Sequence, residues 1–307
     1  MSIDNKLLNF HDLFKTICSL VKNDNIPNSI IIDGKDGIGK TTFAKHLVNF
    51  IFTHEDDNPY SIGNFEINHT NKVFNLLNNN SYPNYYSIDL DVGKNTISIE
   101  QIRSMINYAN KSSFNNKYKV ILINNSEFLN NNSSNALLKI LEEPSRNTIF
   151  IILQNSDYKN LKTIQSRCIK FNLKLDFINV IATVNKIISD DIYKHINKDL
   201  IFYYSTPGQI IDLLNFGEDS KINLHEITLN DFIEKIISKK LYAKNIYLKN
   251  NFNSYLEQYL LRLAMNKPEI DVFNYYDQFI KKSHDAKLFN LDMESLYINY
   301  SNNVLNG

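Results

Sequence analysis

The amino-acid sequence predicts an α/β fold in its first half and an all-helical fold in its second half. Between residues 29 and 172, short apolar runs that are typical of buried strands alternate with helical patterns. This alternation predicts a parallel sheet covered by helices on both faces. A glycine-rich segment at residues 34–41 links the first apolar run to the first helical pattern. After about residue 173 the strand signals fade and helical periodicity dominates.

The apolar patterns predict five strands, with helices between and after them. The strands lie at residues 29–33, 85–90, 119–124, 148–153 and 168–172. Helices at residues 40–52, 99–110 and 134–142 connect them, and further helices follow at residues 176–188, 207–214, 231–239, 253–263 and 273–281. This layout predicts three domains: an α/β domain at residues 1–172, a small helical domain at 173–218 and a C-terminal helical domain at 219–307.

The composition narrows the class of protein. Lys and Arg total 33 and Asp and Glu also total 33, so the overall charge indicates neither DNA binding nor membrane binding. Cys18 and Cys168 are the only cysteines, which argues against a disulfide framework and fits a reducing cytoplasm. The N-terminus has no signal-peptide pattern, and no apolar run approaches the ~20 residues of a membrane-spanning helix. We therefore expect a soluble, cytoplasmic protein without membrane contact.

The glycine-rich segment matches the phosphate-loop pattern G-x-x-x-x-G-K-[ST] without a mismatch. Its glycines reach positive φ at little cost, and its backbone N–H groups and the following helix N-terminus face the anion. Lys40 is expected to reach the β- and γ-phosphates of ATP, and the Thr41 hydroxyl to bind Mg²⁺. Whether ATP is bound, or the loop is a relic, stays open. The predicted nucleotide-binding residues are Gly34, Lys35, Asp36, Gly37, Ile38, Gly39, Lys40, Thr41 and Thr42.

A second element of phosphate-loop ATPases, acidic residues after a later strand, is degenerate here. The strand predicted at residues 119–124 ends in Asn124, and Asn125 follows it. Carboxamides carry no charge to balance Mg²⁺ and cannot accept a proton, and a positioned general base is worth ~10²–10⁴ in rate. Glu127 is an alternative acid, but we expect it to be a charge near the start of the next helix. The pattern predicts binding without efficient hydrolysis.

Several separated motifs follow in a fixed order. They are Ile-Pro-Asn-Ser at 26–29, Tyr-Pro-Asn-Tyr-Tyr at 82–86, the segment 93–103, Asn-Ala-Leu-Leu-Lys-Ile-Leu-Glu-Glu-Pro at 135–144, Asn-Thr-Ile-Phe at 147–150 and Ser-Arg-Cys at 166–168. Together they resemble the clamp-loader branch of the AAA+ ATPases, and within it the delta-prime family of bacterial DNA polymerase III. The resemblance covers residues 1 to about 215. It implies an AAA+ nucleotide-binding domain (1–172), a helical lid domain (173–218) and an all-α collar domain for oligomerisation (219–307).

The resemblance also implies partners and residue roles. Such subunits sit in a hetero-pentameric ring that places a sliding clamp on primed DNA, and they contain no polymerase active site. The family's Ser-Arg-Cys arginine, here Arg167, reaches the γ-phosphate of ATP in a neighbouring subunit. An arginine supplied in trans contributes ~10³–10⁵ in rate; the alternative is a plain surface arginine. Asn155 is the candidate polar sensor beside the γ-phosphate.

The sequence departs from the family pattern in two places. Residues 53–82 contain no cysteine, so the four-cysteine zinc module of many relatives is excluded and no zinc is expected. Active AAA+ subunits carry a sensor arginine in the lid, whereas no arginine occurs between residues 168 and 261. ATP hydrolysis by this chain is therefore expected to be weak or absent, and whether it is an enzyme in its own right stays open.

Two other functions are compatible with parts of the sequence. The first is an ATP-hydrolysing gamma-type clamp-loader subunit, against which the Asn124-Asn125 pair argues. The second is a nucleotide kinase, because residues 32–42 also resemble the phosphate loop of thymidylate kinases. Those kinases need an Asp-Arg pair, and this chain has no such dipeptide.

Overall fold

The computed structural model describes residues 5–91, 93–114, 118–158, 162–266, 270–289, 293–301 and 304. The chain forms two compact units. The first unit comprises Met1–Thr183 and Thr206–Gly208, and the second comprises Val184–Ser205 and Gln209–Gly307.

The first unit is built on a parallel five-stranded sheet. Its strands are β1 (Ser29–Gly34), β2 (Tyr85–Ile88), β3 (Lys119–Ile123), β4 (Thr148–Asn155) and β5 (Ile169–Asn172), in the order β2-β3-β4-β1-β5. Its helices are α1 (His11–Lys22), α2 (Lys40–Thr53), α3 (Lys72–Asn78), α4 (Ile99–Ala109), α5 (Asn131–Glu142) and α6 (Lys162–Gln165). The predicted fold class is confirmed.

Alternating side chains of the central strands pack on opposite faces of the sheet. Ile30 and Ile32 of β1 belong to a core cluster shared with α1 and α2. Ile31, between them, belongs to a second cluster shared with α4 and α5. All three are fully buried, and burying such a side chain contributes about 1.5–3 kcal/mol. Strands covered on both faces read as continuous apolar runs, which is why the sequence revealed them.

The structure adds helices that the sequence analysis did not predict. α1 buries Phe14, Ile17, Cys18 and Val21, whose spacing is helical and was therefore available as a signal. α3 has only 7 residues, and its N-terminal cap is Asn71, whose side chain accepts a hydrogen bond from the Val73 N–H group. Short helices depend on such caps more than on apolar periodicity.

The cysteine-free segment after α2 is held by hydrogen bonds and aromatic packing. The Leu7 N–H group donates to the Phe65 carbonyl (2.8 Å), which joins this segment to the N-terminal residues. Phe65 stacks on the His11 ring, with centroids 3.9 Å apart. Tyr60 donates to or accepts from His46 Nδ1 at 2.7 Å, and both are buried. These contacts tie the segment to the core through side chains.

The second unit is helical. α7 (Phe177–Ile188) runs into it from the first unit, and α8 (Pro207–Asp219) begins in the first unit and continues in the second. The remaining helices are α9 (Leu229–Ser238), α10 (Leu241–Lys244), α11 (Ile246–Asn266), α12 (Ile270–Phe289) and α13 (Glu294–Tyr300). Within the part of the chain that the structure describes, no helix is both long and apolar enough to cross a bilayer.

Tyrosine hydroxyls form hydrogen bonds inside the core of the second unit. Tyr255 is fully buried, and its hydroxyl lies 2.5 Å from that of Tyr247. Burial raises the Tyr255 pKa well above its ordinary value, so both rings stay neutral at physiological pH. The Tyr297 hydroxyl donates to Asn253 Oδ1 (2.9 Å). Buried hydroxyls require such partners because an unsatisfied polar group is costly.

Candidate functional site

The predicted phosphate loop connects the end of β1 to the start of α2. Gly37 has φ 72° and Gly39 has φ 102°, so both occupy backbone conformations that residues with a side chain rarely adopt. Gly39 is also the N-terminal cap of α2. The nine predicted nucleotide-binding residues, 34–42, form one continuous segment that runs from the last residue of β1 through the turn into the start of α2. It lies at the carboxyl end of the sheet, where open α/β sheets bind ligands.

The Lys40 ammonium is held inside this loop. Its Nζ donates to the Gly34 carbonyl at 2.8 Å and to the Lys35 carbonyl at 2.9 Å. Burial lowers the Lys40 pKa, and four nearby carboxylates oppose that effect. In decreasing order of effect they belong to Asp36, Glu127, Asp33 and Asp157. Lys40 thus sits in a partly desolvated and strongly acidic environment.

Residues 206–208, within the predicted lid at 173–218, contact the loop directly. The Thr206 hydroxyl donates to the Asp36 carbonyl at 2.7 Å, and the Gly208 N–H group donates to the Gly37 carbonyl at 2.9 Å. A Cβ added at Gly208 would lie 2.6 Å from Gly37 Cα. Only glycine permits this approach, so the Pro-Gly pair was a usable signal that the sequence analysis did not exploit.

The two amides after β3 bind a different partner. Asn124 Nδ2 donates to Asp89 Oδ2 at 3.2 Å, and Asn125 Nδ2 donates to Asp89 Oδ1 at 2.7 Å. Asp89 directly follows β2, the strand on the side of β3 away from β4. Asn124 Oδ1 is buried and accepts no hydrogen bond among the described residues. The amides therefore fix the neighbouring turn.

Glu127 lies closer to the loop than the sequence analysis predicted. Its Oε2 accepts a hydrogen bond from the backbone N–H group of Asn155 at 3.2 Å. Asn155 is the last residue of β4 and pairs with Gly34, the first residue of the loop. The Asn155 side chain in turn accepts a bond from the Asp157 N–H group at 3.0 Å. The candidate sensor and an acid from the β3 side thus meet beside the loop.

Arg167 makes its contacts elsewhere in the first unit. Its Nε donates to Glu142 Oε1 at 2.9 Å, and a terminal nitrogen contacts the same oxygen. The other terminal nitrogen donates to the Thr163 carbonyl (2.8 Å) and to Ser166 Oγ (3.3 Å). Glu142 is the last residue of α5, within the Leu-Glu-Glu-Pro motif. The sequence analysis named Arg167 but did not predict its partner.

The side chains that could bind a metal ion are dispersed over the described part of the fold. Among the described residues, no group of three or more His, Cys, Asp or Glu side chains is arranged to hold a metal ion. Burial raises the pKa of the Cys168 thiol to about 11 and that of Cys18 to about 12. Both thiols are therefore protonated at neutral pH, which makes them poor ligands and poor nucleophiles.

A comparison with protein families gives one match. The family described as DNA polymerase III, delta subunit, matches residues 11–176, which is more than half of this 307-residue chain. The match spans the whole sheet, the phosphate loop and the contact between Arg167 and Glu142, which we call the Arg167 edge.

Individual relatives agree with that family. The chain is 27% identical over 143 residues to the DNA polymerase III subunit delta' of Pseudomonas aeruginosa, covering 47% of this chain and 42% of the relative. It is 28% identical over 229 residues to subunit gamma/tau of Mycoplasma genitalium, covering 69% and 36%. The chain thus spans less than half of the length of these two relatives. A gamma-subunit-related structure from Thermotoga maritima has a TM-score of 0.44 at 18% identity, covering 86% of this chain and 76% of that one.

Proposed function

This chain belongs to the DNA polymerase III delta subunit family, and from that premise we propose that it is a delta-prime-like subunit of a clamp loader. In this role it is one member of a hetero-pentameric ring that places a sliding clamp on primed DNA. The family match favours this function over a nucleotide kinase. The names of the relatives, subunits delta' and gamma/tau, support a role inside a multi-subunit polymerase assembly.

The observation that carries the proposal is the way in which Arg167 is held. Its side chain is 32% exposed, and Glu142 and Thr163 anchor its guanidinium from inside the chain. A planar guanidinium fixed by hydrogen bonds loses less entropy when it meets a phosphate than a free one does. We therefore assign to Arg167 the role of completing the ATP site of a neighbouring subunit, where such a residue is worth ~10³–10⁵ in rate.

The phosphate loop of this chain is assigned to ATP binding with little ATP hydrolysis. Residues 34–42 would hold ATP, with Lys40 on the phosphates and Thr41 on magnesium, and Asn155 would serve as the polar sensor. Asn124 and Asn125 cannot accept a proton from water, and their amides donate to Asp89. The lid segment that touches the loop contributes Thr206 and Gly208 in place of an arginine. These features argue against a gamma-type subunit.

The domain assignment follows from the same proposal. Residues 1–172 form the AAA+ domain, residues 173–218 the lid, and residues 219–307 the collar that joins the ring. The helical character and the buried tyrosine network of the second unit support a rigid oligomerisation element.

Reconstitution of the loader from purified subunits tests the proposal. Leaving out this chain should abolish ATP-dependent loading of the clamp onto primed DNA. The Arg167→Ala variant should lower turnover by roughly 10³-fold or more at the site that Arg167 completes. Arg146→Ala, a change at another exposed arginine of the same unit, is the matched control. Gel filtration should show an intact ring for both variants. Unchanged turnover with Arg167→Ala in an intact ring would overturn the assignment.

A further inference from the structure

The site beside the phosphate loop contains a carboxylate that arrives from the β3 side. Asn124 and Asn125 are both committed to Asp89, which lies beyond β3 on the β2 side. Neither side chain brings a charge to the loop. In such sites the acids usually follow the strand that corresponds to β3. Here neutral amides follow β3, and they face Asp89 on the β2 side.

The chain turns back toward the loop immediately after these amides. Asn125 has φ 52°, in the left-handed region, and a short 3₁₀ turn, Ser126–Phe128, follows. This turn brings Glu127 Oε2 to 3.2 Å from the Asn155 N–H group. β4 lies between β3 and β1, and Asn155 is in register with Gly34. The Glu127 carboxylate thus lies at the end of the strand next to the loop.

Glu127 is one of several carboxylates near Lys40. Of the four carboxylates that act on Lys40, Asp33 and Asp36 belong to β1 and the loop, and Asp157 follows β4. Glu127 alone comes from the segment after β3, and it has the second largest effect. Glu127 also acts on the hydroxyl of Tyr158, whose pKa is raised mainly by burial. The carboxylate is therefore within electrostatic range of the residue that would bind the phosphates.

We propose that Glu127 is the acid of the phosphate-loop site, in place of the carboxylates that Asn124 and Asn125 do not provide. This inference rests on the proposed binding of ATP with magnesium by residues 34–42. The Thr41 hydroxyl and the Glu127 carboxylate are hard oxygen donors of the kind that Mg²⁺ prefers. Magnesium supplies charge neutralisation of the triphosphate. Without the metal, the Glu127 carboxylate repels phosphate oxygens next to Lys40, so nucleotide affinity should depend on Mg²⁺ through Glu127.

Equilibrium titration of the full chain with a fluorescent ATP analogue tests this proposal. The dissociation constant is measured in excess Mg²⁺ and in EDTA, for the wild type and for Glu127→Gln. Glutamine keeps an oxygen that can accept the Asn155 hydrogen bond but removes the charge. Asp157→Asn is the matched control, because it removes another carboxylate that acts on Lys40. Urea unfolding midpoints verify that each variant folds.

The expected result is a specific loss of the magnesium effect. In Glu127→Gln the dissociation constant in EDTA divided by the dissociation constant in Mg²⁺ should fall by about 10–100-fold. This is the usual cost of losing a group that holds the outer shell of a metal. Asp157→Asn should retain the wild-type ratio. An unchanged ratio in Glu127→Gln would overturn the proposal, and so would a wild-type chain that binds no nucleotide. Neither result touches the role of Arg167, which is measured in the assembled ring.

Discussion

The phosphate loop and the Arg167 edge belong to the same unit but are built from different kinds of contact. The loop is fixed by backbone atoms: Gly37 and Gly39 at positive φ, and carbonyls that accept bonds from Lys40 and from Gly208. Arg167 is fixed chiefly by one side chain, that of Glu142, 25 residues away, and the Thr163 carbonyl accepts a further hydrogen bond from it. Backbone geometry tolerates most changes of side chain, whereas the position of the arginine depends on one carboxylate.

This difference bears on function. A backbone-built loop retains its shape even where the surrounding acids have been replaced, so an intact loop is weak evidence for catalysis. The contact between Arg167 and Glu142, in contrast, requires a specific arrangement of two charged side chains. We infer that the catalytic contribution of this chain comes from Arg167, and three further experiments examine the contrast between the two regions.

The largest effect is expected at Glu142. Glu142→Ala leaves Arg167 without its main anchor, and displacement of a positioned group by about 1 Å costs on the order of 10²-fold in rate. The kcat of the assembled loader should fall at the site that Arg167 completes, while KM and ring assembly stay unchanged. Glu142→Gln should recover part of the loss, because its amide oxygen still accepts. Glu143→Ala, at the adjacent exposed glutamate, is the control; equal rates in the two alanine variants would remove the positioning role.

A smaller effect is expected where residues 206–208 touch the loop. In Gly208→Ala the added Cβ would lie 2.6 Å from Gly37 Cα, so the two backbones must separate. Such overpacking costs about 1–3 kcal/mol, which urea unfolding of the isolated chain can measure. Gly63→Ala is the control, since its Cβ would meet no atom within 4 Å. If both variants unfold at the same urea concentration, the backbone contact does not stabilise the loop.

The smallest effect concerns the protonation of Lys40. Only the ammonium form binds phosphate well, and burial lowers the Lys40 pKa from its ordinary 10.5. Nucleotide affinity should therefore decline at a lower pH than for an exposed lysine. Glu127 raises this pKa, so Glu127→Gln should shift the decline to still lower pH. Titrations between about pH 7 and about pH 10 check this; coincident profiles for Glu127→Gln and the wild type would contradict it.

Much of the fold was predictable because its signals are local. The central strands β1, β3 and β4 are buried at every position, and the phosphate loop is a continuous motif with obligatory glycines. The observed ends of some elements lie beyond the predicted ends. β4 runs to Asn155, two residues past the predicted end, because Gln154 and Asn155 pair with Asp33 and Gly34. α8 runs to Asp219, past its predicted end at residue 214, and at Gly217 the missing side chain lets Leu224 pack closely.

The site was predictable only in part. The sequence identified the loop, the amides and Arg167, each from residues next to one another. It predicted that Glu127 is a charge near the start of the next helix, because three residues past a strand the direction of a side chain depends on the turn. The left-handed Asn125 and the following 3₁₀ turn reverse that direction. The partner of the amides, Asp89, lies 35 residues from Asn124 and has no sequence signal.

The sequence by itself determined the α/β class, the phosphate loop and the resemblance to clamp loaders. These features were predictable because strand burial and glycine conformation depend on residues that are adjacent in the sequence. The tertiary structure alone decided which charges meet. It brought Glu127 to the loop, joined Arg167 to Glu142, and brought Thr206 to Asp36 across 170 residues. Those contacts depend on strand order and on turns, and electrostatic pairing acts over distances in space that no spacing along the chain reveals.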